Sequence, residues 1–225
     1  MTPWILLDSA QVPGHGGELR LYQRCDEFSI KIVGRGELMN SRVHGSEDAL
    51  AEHACARLAG CLKPRLLIGG LGMGFTLAAA LRHIGEQAQV VVAELVPEVV
   101  AWNRGPLGGA AGFPLQDPRV TVREGDVARI LVAGQQAYDA ILLDVDNGPE
   151  GLTRKQNDWL YGLNGLNAAY AVLRPQGVLA VWSAGPDQAF SQRLRKVGFE
   201  VDEVRVHAHG TRGARHNIWL ARRGV

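Results

Sequence analysis

The feature that most constrains this chain is a repeated unit, a run of β-branched and leucine residues closed at its carboxyl end by glycine or a carboxylate. Arg65 to Ile68 opens into Gly69-Gly70-Leu71-Gly72-Met73-Gly74, Val90-Val91-Val92-Ala93 closes on Glu94, and Asp126 and Asp144 end the next two runs. Polar residues recur at the same end of successive strands in an open α/β sheet, and that end is where such sheets hold ligands. Between the strands the apolar spacing is helical and predicts helices over 75–83, 97–104, 127–132, 158–173 and 186–197. Pro97 suits a first helical turn. Strands are expected at 65–68, 90–94, 120–122, 140–144 and 178–182, and two more at 200–206 and 217–221. The fold class is therefore α/β, a doubly wound and mostly parallel sheet.

Ahead of this ladder, Leu19 to Arg24 and Phe28 to Val33 alternate in period two around Cys25-Asp26-Glu27, the pattern of a β-hairpin. Ser46, followed by Glu47 and Asp48, predicts the N-cap of a helix that Pro64 ends. The expected organisation is a short N-terminal β-hairpin region over 1–45 and a nucleoside-binding catalytic domain over 46–225. No apolar run approaches the roughly twenty residues that span a bilayer, and the N-terminus has no secretory pattern, so a cytoplasmic protein without membrane contact is expected. A net charge of +1 gives no general attraction to nucleic acid; the excess of arginine after Ser191 reads as a solvated face. Cys25, Cys55 and Cys61 have no paired spacing and read as reduced, mostly buried thiols, and the seven histidines form no ligand set, so no metal is expected.

Glycines at 69, 70, 72 and 74 remove Cβ atoms where the backbone must turn sharply beside a ligand and a helix begins. Glu94, at the end of the second strand, is placed to accept both hydroxyls of a ribose, and Asp126 to accept an exocyclic adenine amine or to cap a short helix. The glycine spacing differs from the dinucleotide fingerprint and favours a methionine-derived nucleoside. After the fourth strand, Asp144, Asp146 and Asn147 cluster at the ligand edge. An alkylamine has a pKa near 10, so exposing its lone pair at neutral pH costs about 4 kcal/mol. A carboxylate both attracts the cation and takes its proton as nitrogen attacks a carbon beside a sulfonium. Asp144 is the candidate base. Trp182, ending the fifth strand, is the aromatic best placed to lie against a cation.

Over nearly its whole length the chain resembles the spermidine synthase, or polyamine aminopropyltransferase, family. The resemblance is carried by Glu37-Leu38-Met39-Asn40-Ser41-Arg42-Val43-His44-Gly45-Ser46-Glu47, the Gly69 to Gly74 turn, Glu94, Gly125-Asp126 and Tyr138 to Asp144. It implies an N-terminal β-hairpin region before a Rossmann-like sheet of the class I methyltransferase type, decarboxylated S-adenosylmethionine as co-substrate rather than any prosthetic group, putrescine as a small amine acceptor, and a homodimer. Glu94 and Asp126 would then hold the nucleoside, with Gly69, Gly70, Gly72 and Gly74 beside it, and Asp144 would act as base. His44, Glu47, Asp146, Asn147 and Trp182 are the residues expected on the acceptor side. The chain departs from the family where Leu71, Gly72 and Met73 supply no acid to the glycine turn, where Asn147 and Gly148 replace an acid and a proline, and where no tyrosine stands beside Glu47. Two further readings stay open. One is a methyltransferase using intact S-adenosylmethionine, and the other a non-catalytic nucleoside-binding protein.

Overall fold

The computed structural model describes residues 2–14, 16–145, 158–209 and 212–225. The expected α/β sheet is present. β5 (Arg65–Gly69), β6 (Gln89–Glu94), β7 (Val120–Glu124), β8 (Tyr138–Leu143) and β9 (Leu173–Ser183) pair in parallel, and β10 (Phe199–His209) and β11 (Arg212–Arg223) add an antiparallel hairpin at one edge. The order is β10-β11-β9-β8-β5-β6-β7. The chain leaves β5 towards one side and returns through β8 on the other, so the switch point lies between these two strands. Their residues are near-continuously apolar, Leu66 to Ile68 and Ala140 to Leu143 being fully buried, because helices cover both faces.

Those helices are α1 (Gly45–Ala56), α2 (Phe75–His83), α3 (Pro97–Arg104), α4 (Val127–Ala133), α5 (Asp158–Tyr161), α6 (Leu163–Val172) and α7 (Gln188–Val197). Pro97 occupies the first turn of α3, and Asp126 caps α4 by accepting from the Ala128 amide at 2.9 Å. Asp187 does the same for α7 through Phe190. The single helix expected over 158–173 is two, because Gly162 takes an extended conformation between α5 and α6. Ser46 is not the cap of α1. His44 holds the cap position without a side-chain bond to the helix-end amides, and Ser46 lies inside the first turn, 1% exposed.

The N-terminal region is larger than a hairpin. β1 (Ile5–Val12), β2 (Gly17–Arg24), β3 (Glu27–Ile32) and β4 (Gly36–Asn40) form a four-stranded antiparallel sheet in sequence order. One contiguous core joins Leu19, Leu21, Phe28, Ile30 and Ile32 of this sheet to Leu50 of α1, Ile68 of β5 and Val100 of α3. Trp102 of α3 also donates its indole N–H to Asp8 of β1 at 2.7 Å. The division expected after residue 45 falls in the first turn of α1. Of the cysteines only Cys55 is buried, where burial pushes its thiol up to about 12; Cys25 and Cys61 are exposed, contrary to the expectation of mostly buried thiols. Among the described residues no helix is long and apolar enough to cross a membrane, and no cluster of side chains could hold a metal.

Candidate active site

The glycine turn owes its shape to its neighbours. Gly70 has φ +90°, and a Cβ there would stand 2.2 Å from the Asp144 carbonyl oxygen, so only glycine lets β5 run this close to the end of β8. Asn103 of α3 fixes the next step by donating to the Gly72 carbonyl at 2.8 Å. Three of the turn's amides are already engaged: Gly70 donates to the Ala93 carbonyl, Leu71 to Glu94 and Gly74 to the Leu71 carbonyl.

Glu94 is 8% exposed and accepts from the Leu71 amide at 2.8 Å and the Val96 amide at 2.9 Å, one on each oxygen. Burial pushes its pKa up, and these amides oppose that by favouring the charged form. The Gly72 and Leu95 amides also favour the charged form, so Glu94 is held as a carboxylate by four backbone donors. Glu94 lines a cavity of about 860 Å³, counting its open mouth, together with Gly70, Gly72, Asp126 and Asp144. The opposite wall comes from the N-terminal sheet through Val12, Leu19, Ile30, Leu38 and Met39. Asp126 uses Oδ1 to cap α4, and its other oxygen is not part of that cap.

Leu38, Met39, Gly72 and Asp144 also line a second cavity of about 590 Å³, again counting its open mouth, whose remaining wall includes Asn40, Glu47, Met73, Thr76 and Trp182. Asp144 thus stands where the two spaces meet. The Thr76 hydroxyl donates to its Oδ2 at 2.6 Å. Burial, helped by the negative charge of Glu47, raises the Asp144 pKa to about 7, and the Thr76 bond only partly opposes this. Glu47 is itself raised by burial, against a hydrogen bond from Ser46. Asp144, with a proton affinity near neutrality and facing this cavity, can take up and release a proton under ordinary conditions.

The structure thus brings Gly70, Gly72, Glu94, Asp126, Asp144, Glu47 and Trp182 onto two joined cavities. Gly69 and Gly74 lie behind the lining, packed on Leu143 and Val127 and on Asn103 and Pro114 respectively. His44 also stands back; it pairs with Asp48 at 2.8 Å and stacks on Phe75, which lines the second cavity. Asp146 and Asn147 lie outside the described residues. Thr76 was missed by sequence reasoning, although a hydroxyl in the first turn after a glycine loop is placed to face the neighbouring strand end.

No protein-family model matches the chain. It is 32% identical over 164 residues to polyamine aminopropyltransferase 1 of Streptomyces coelicolor, a match covering 71% of this chain and 29% of that protein, so it spans under a third of the curated relative's length. Its fold is that of spermidine synthase from Thermotoga maritima, with a TM-score of 0.78 at 17% identity over 98% of this chain and 73% of the other. A spermidine synthase in complex with the transition-state analogue AdoDATO superposes with a TM-score of 0.76 at 16% identity, over the same shares of the two chains.

Proposed function

The chain is spermidine-synthase-like, in fold and in its kinship to a polyamine aminopropyltransferase, and from that premise we propose that it is a transferase moving an aminopropyl group from decarboxylated S-adenosylmethionine to a small amine such as putrescine. The observation that carries this reading is one of charge. Among the described residues the two cavities are lined by four carboxylates, Glu94, Asp126, Glu47 and Asp144, and by no lysine, arginine or histidine. Such a site attracts a sulfonium and an ammonium, and it offers nothing to the carboxylate that intact S-adenosylmethionine carries. With the amides of Gly70, Leu71 and Gly74 engaged inside the protein, the turn has few donors left for that carboxylate.

In this reading Glu94 accepts the ribose hydroxyls and Asp126 the adenine amine. Asp144, at the junction, removes a proton from the acceptor ammonium. The freed nitrogen attacks the carbon beside the sulfonium, the C–S bond breaks with its electrons passing to sulfur, and methylthioadenosine leaves as a neutral thioether. The proton remains on Asp144 until solvent takes it. Trp182 and Glu47 line the acceptor's side, and the active unit is a homodimer.

Methyl transfer from intact S-adenosylmethionine is the competing reading, favoured by the absence of an acid at Leu71, Gly72 and Met73. Purified protein incubated with putrescine and equal amounts of the two donors separates them by mass spectrometry. Methylthioadenosine is expected. S-adenosylhomocysteine as the sole nucleoside product would move the protein to the methyltransferases, and neither product would overturn the transfer to this acceptor.

A further inference from the structure

The acceptor-side cavity has a polar wall built from distant parts of the chain. Ser46, buried in the first turn of α1, donates from Oγ to Glu47 Oε2 at 2.6 Å. On its other side the same oxygen lies 2.8 Å from Nδ1 of His216, 170 residues away on β11. A serine hydroxyl carries one proton. With that proton directed at Glu47, the hydrogen between Ser46 and His216 has to come from the imidazole. His216 is half-buried, and burial holds its pKa below the ordinary value, so the ring is neutral at neutral pH with its single N–H on Nδ1. The ring packs edge to face on Trp182, with centroids 4.7 Å apart, and its cross-strand partner on β10 is the apolar Val206.

We propose that His216, acting through Ser46, is a positioning residue that holds Glu47 as an oriented carboxylate in the acceptor cavity and so sets the charge that the cavity offers a cationic amine. The amine half of this statement rests on the function proposed above; the hydrogen-bond chain does not. The hydroxyl is the largest influence favouring the charged form of Glu47 against burial, and a hydroxyl whose oxygen receives an N–H is a stronger donor. The other ionisable groups around Glu47 are Asp48 on its own helix, paired with His44 and Arg82, and Asp144 at the end of β8. Glu37 of β4 lies behind Asn40, which donates to it at 2.8 Å. Asp48 and Asp144 disfavour a further negative charge on Glu47, and the Ser46 bond opposes them.

The test compares putrescine binding by calorimetry from pH 5.5 to 8.5 in wild type, Ser46→Ala, His216→Leu and His216→Asn, the last keeping a short side-chain N–H donor. Ser46→Ala and His216→Leu are expected to shift the acid limb of binding to higher pH and to weaken binding about tenfold near pH 6, with His216→Asn close to wild type. Superimposable pH curves in all four proteins would overturn the proposal. Nitrogen NMR of the wild-type imidazole is a second readout that needs no ligand: a proton on Nδ1 is expected, and a ring protonated on Nε2 alone would overturn the chain. Should putrescine fail to bind the wild type at every pH, the amine half falls with the function proposed above, while the tautomer still decides the link from His216 to Glu47.

Discussion

Withdrawing the Asp144 carboxylate from water costs free energy that the Thr76 hydroxyl only partly returns, and Glu47 adds repulsion between like charges. Below pH 3.8, the ordinary aspartate value, folded and unfolded chains both hold the proton and nothing is lost. Between 3.8 and about 7 only the folded chain holds it, so stability falls as pH rises, and above about 7 the loss is complete. Asp144→Asn is therefore expected to stabilise the fold at pH 8 by on the order of 2 kcal/mol, after discounting the full shift for solvent screening, and to change little at pH 4. Chemical denaturation at the two pH values checks this. The same substitution removes the proposed base and should lower kcat by about a hundredfold or more. In the wild type, kcat/KM should rise with pH through an apparent value near 7 that belongs to the Asp144 and Glu47 pair. A flat profile, or turnover that survives in Asp144→Asn, would remove Asp144 from the chemistry.

The loop between β5 and α2 works as an element because β5 and the end of β8 are nearly in contact. Gly70→Ala would force a Cβ to within 2.2 Å of a backbone oxygen at positive φ, so a destabilisation of about 3 kcal/mol is expected, seen as a Tm lower by roughly 10 °C. Gly72→Ala meets only the flexible end of Met39, at 3.1 Å, and should cost about half as much; equal losses would mean that the β8 contact is not what demands glycine at 70. This turn and the acids at strand ends were legible in the sequence because they depend on neighbours close in the chain: a buried strand, a tight turn, a polar residue at its carboxyl end. β1 was not legible, since its residues Ile5 to Ser9 are all exposed and show no alternation. Ser46 misled for a related reason. Its spacing from Glu47 and Asp48 matches a cap, but its partner, His216, lies 170 residues on, and only folding brings them together.

Across the whole molecule the net charge of +1 conceals a site lined with acids, and the site belongs to neither sheet alone. The parallel sheet contributes Glu94, Asp126 and Asp144 at the carboxyl ends of its strands, α1 contributes Glu47, and the N-terminal sheet contributes an apolar wall. Val12 of β1 lines only the first cavity, whereas Met39 of β4 lines both. Removing apolar contact here should cost about 1 to 2 kcal/mol per truncated side chain, or roughly five- to thirtyfold in affinity. Val12→Ala is expected to weaken methylthioadenosine and leave putrescine unaffected, while Met39→Ala weakens both, as measured by calorimetry on each ligand separately. If Met39→Ala left amine binding intact, the two cavities would not share a wall in solution, and the picture of a donor and an acceptor meeting over Asp144 would fail. If Val12→Ala left nucleoside binding intact, the N-terminal sheet would be a structural appendage rather than half of the donor's enclosure.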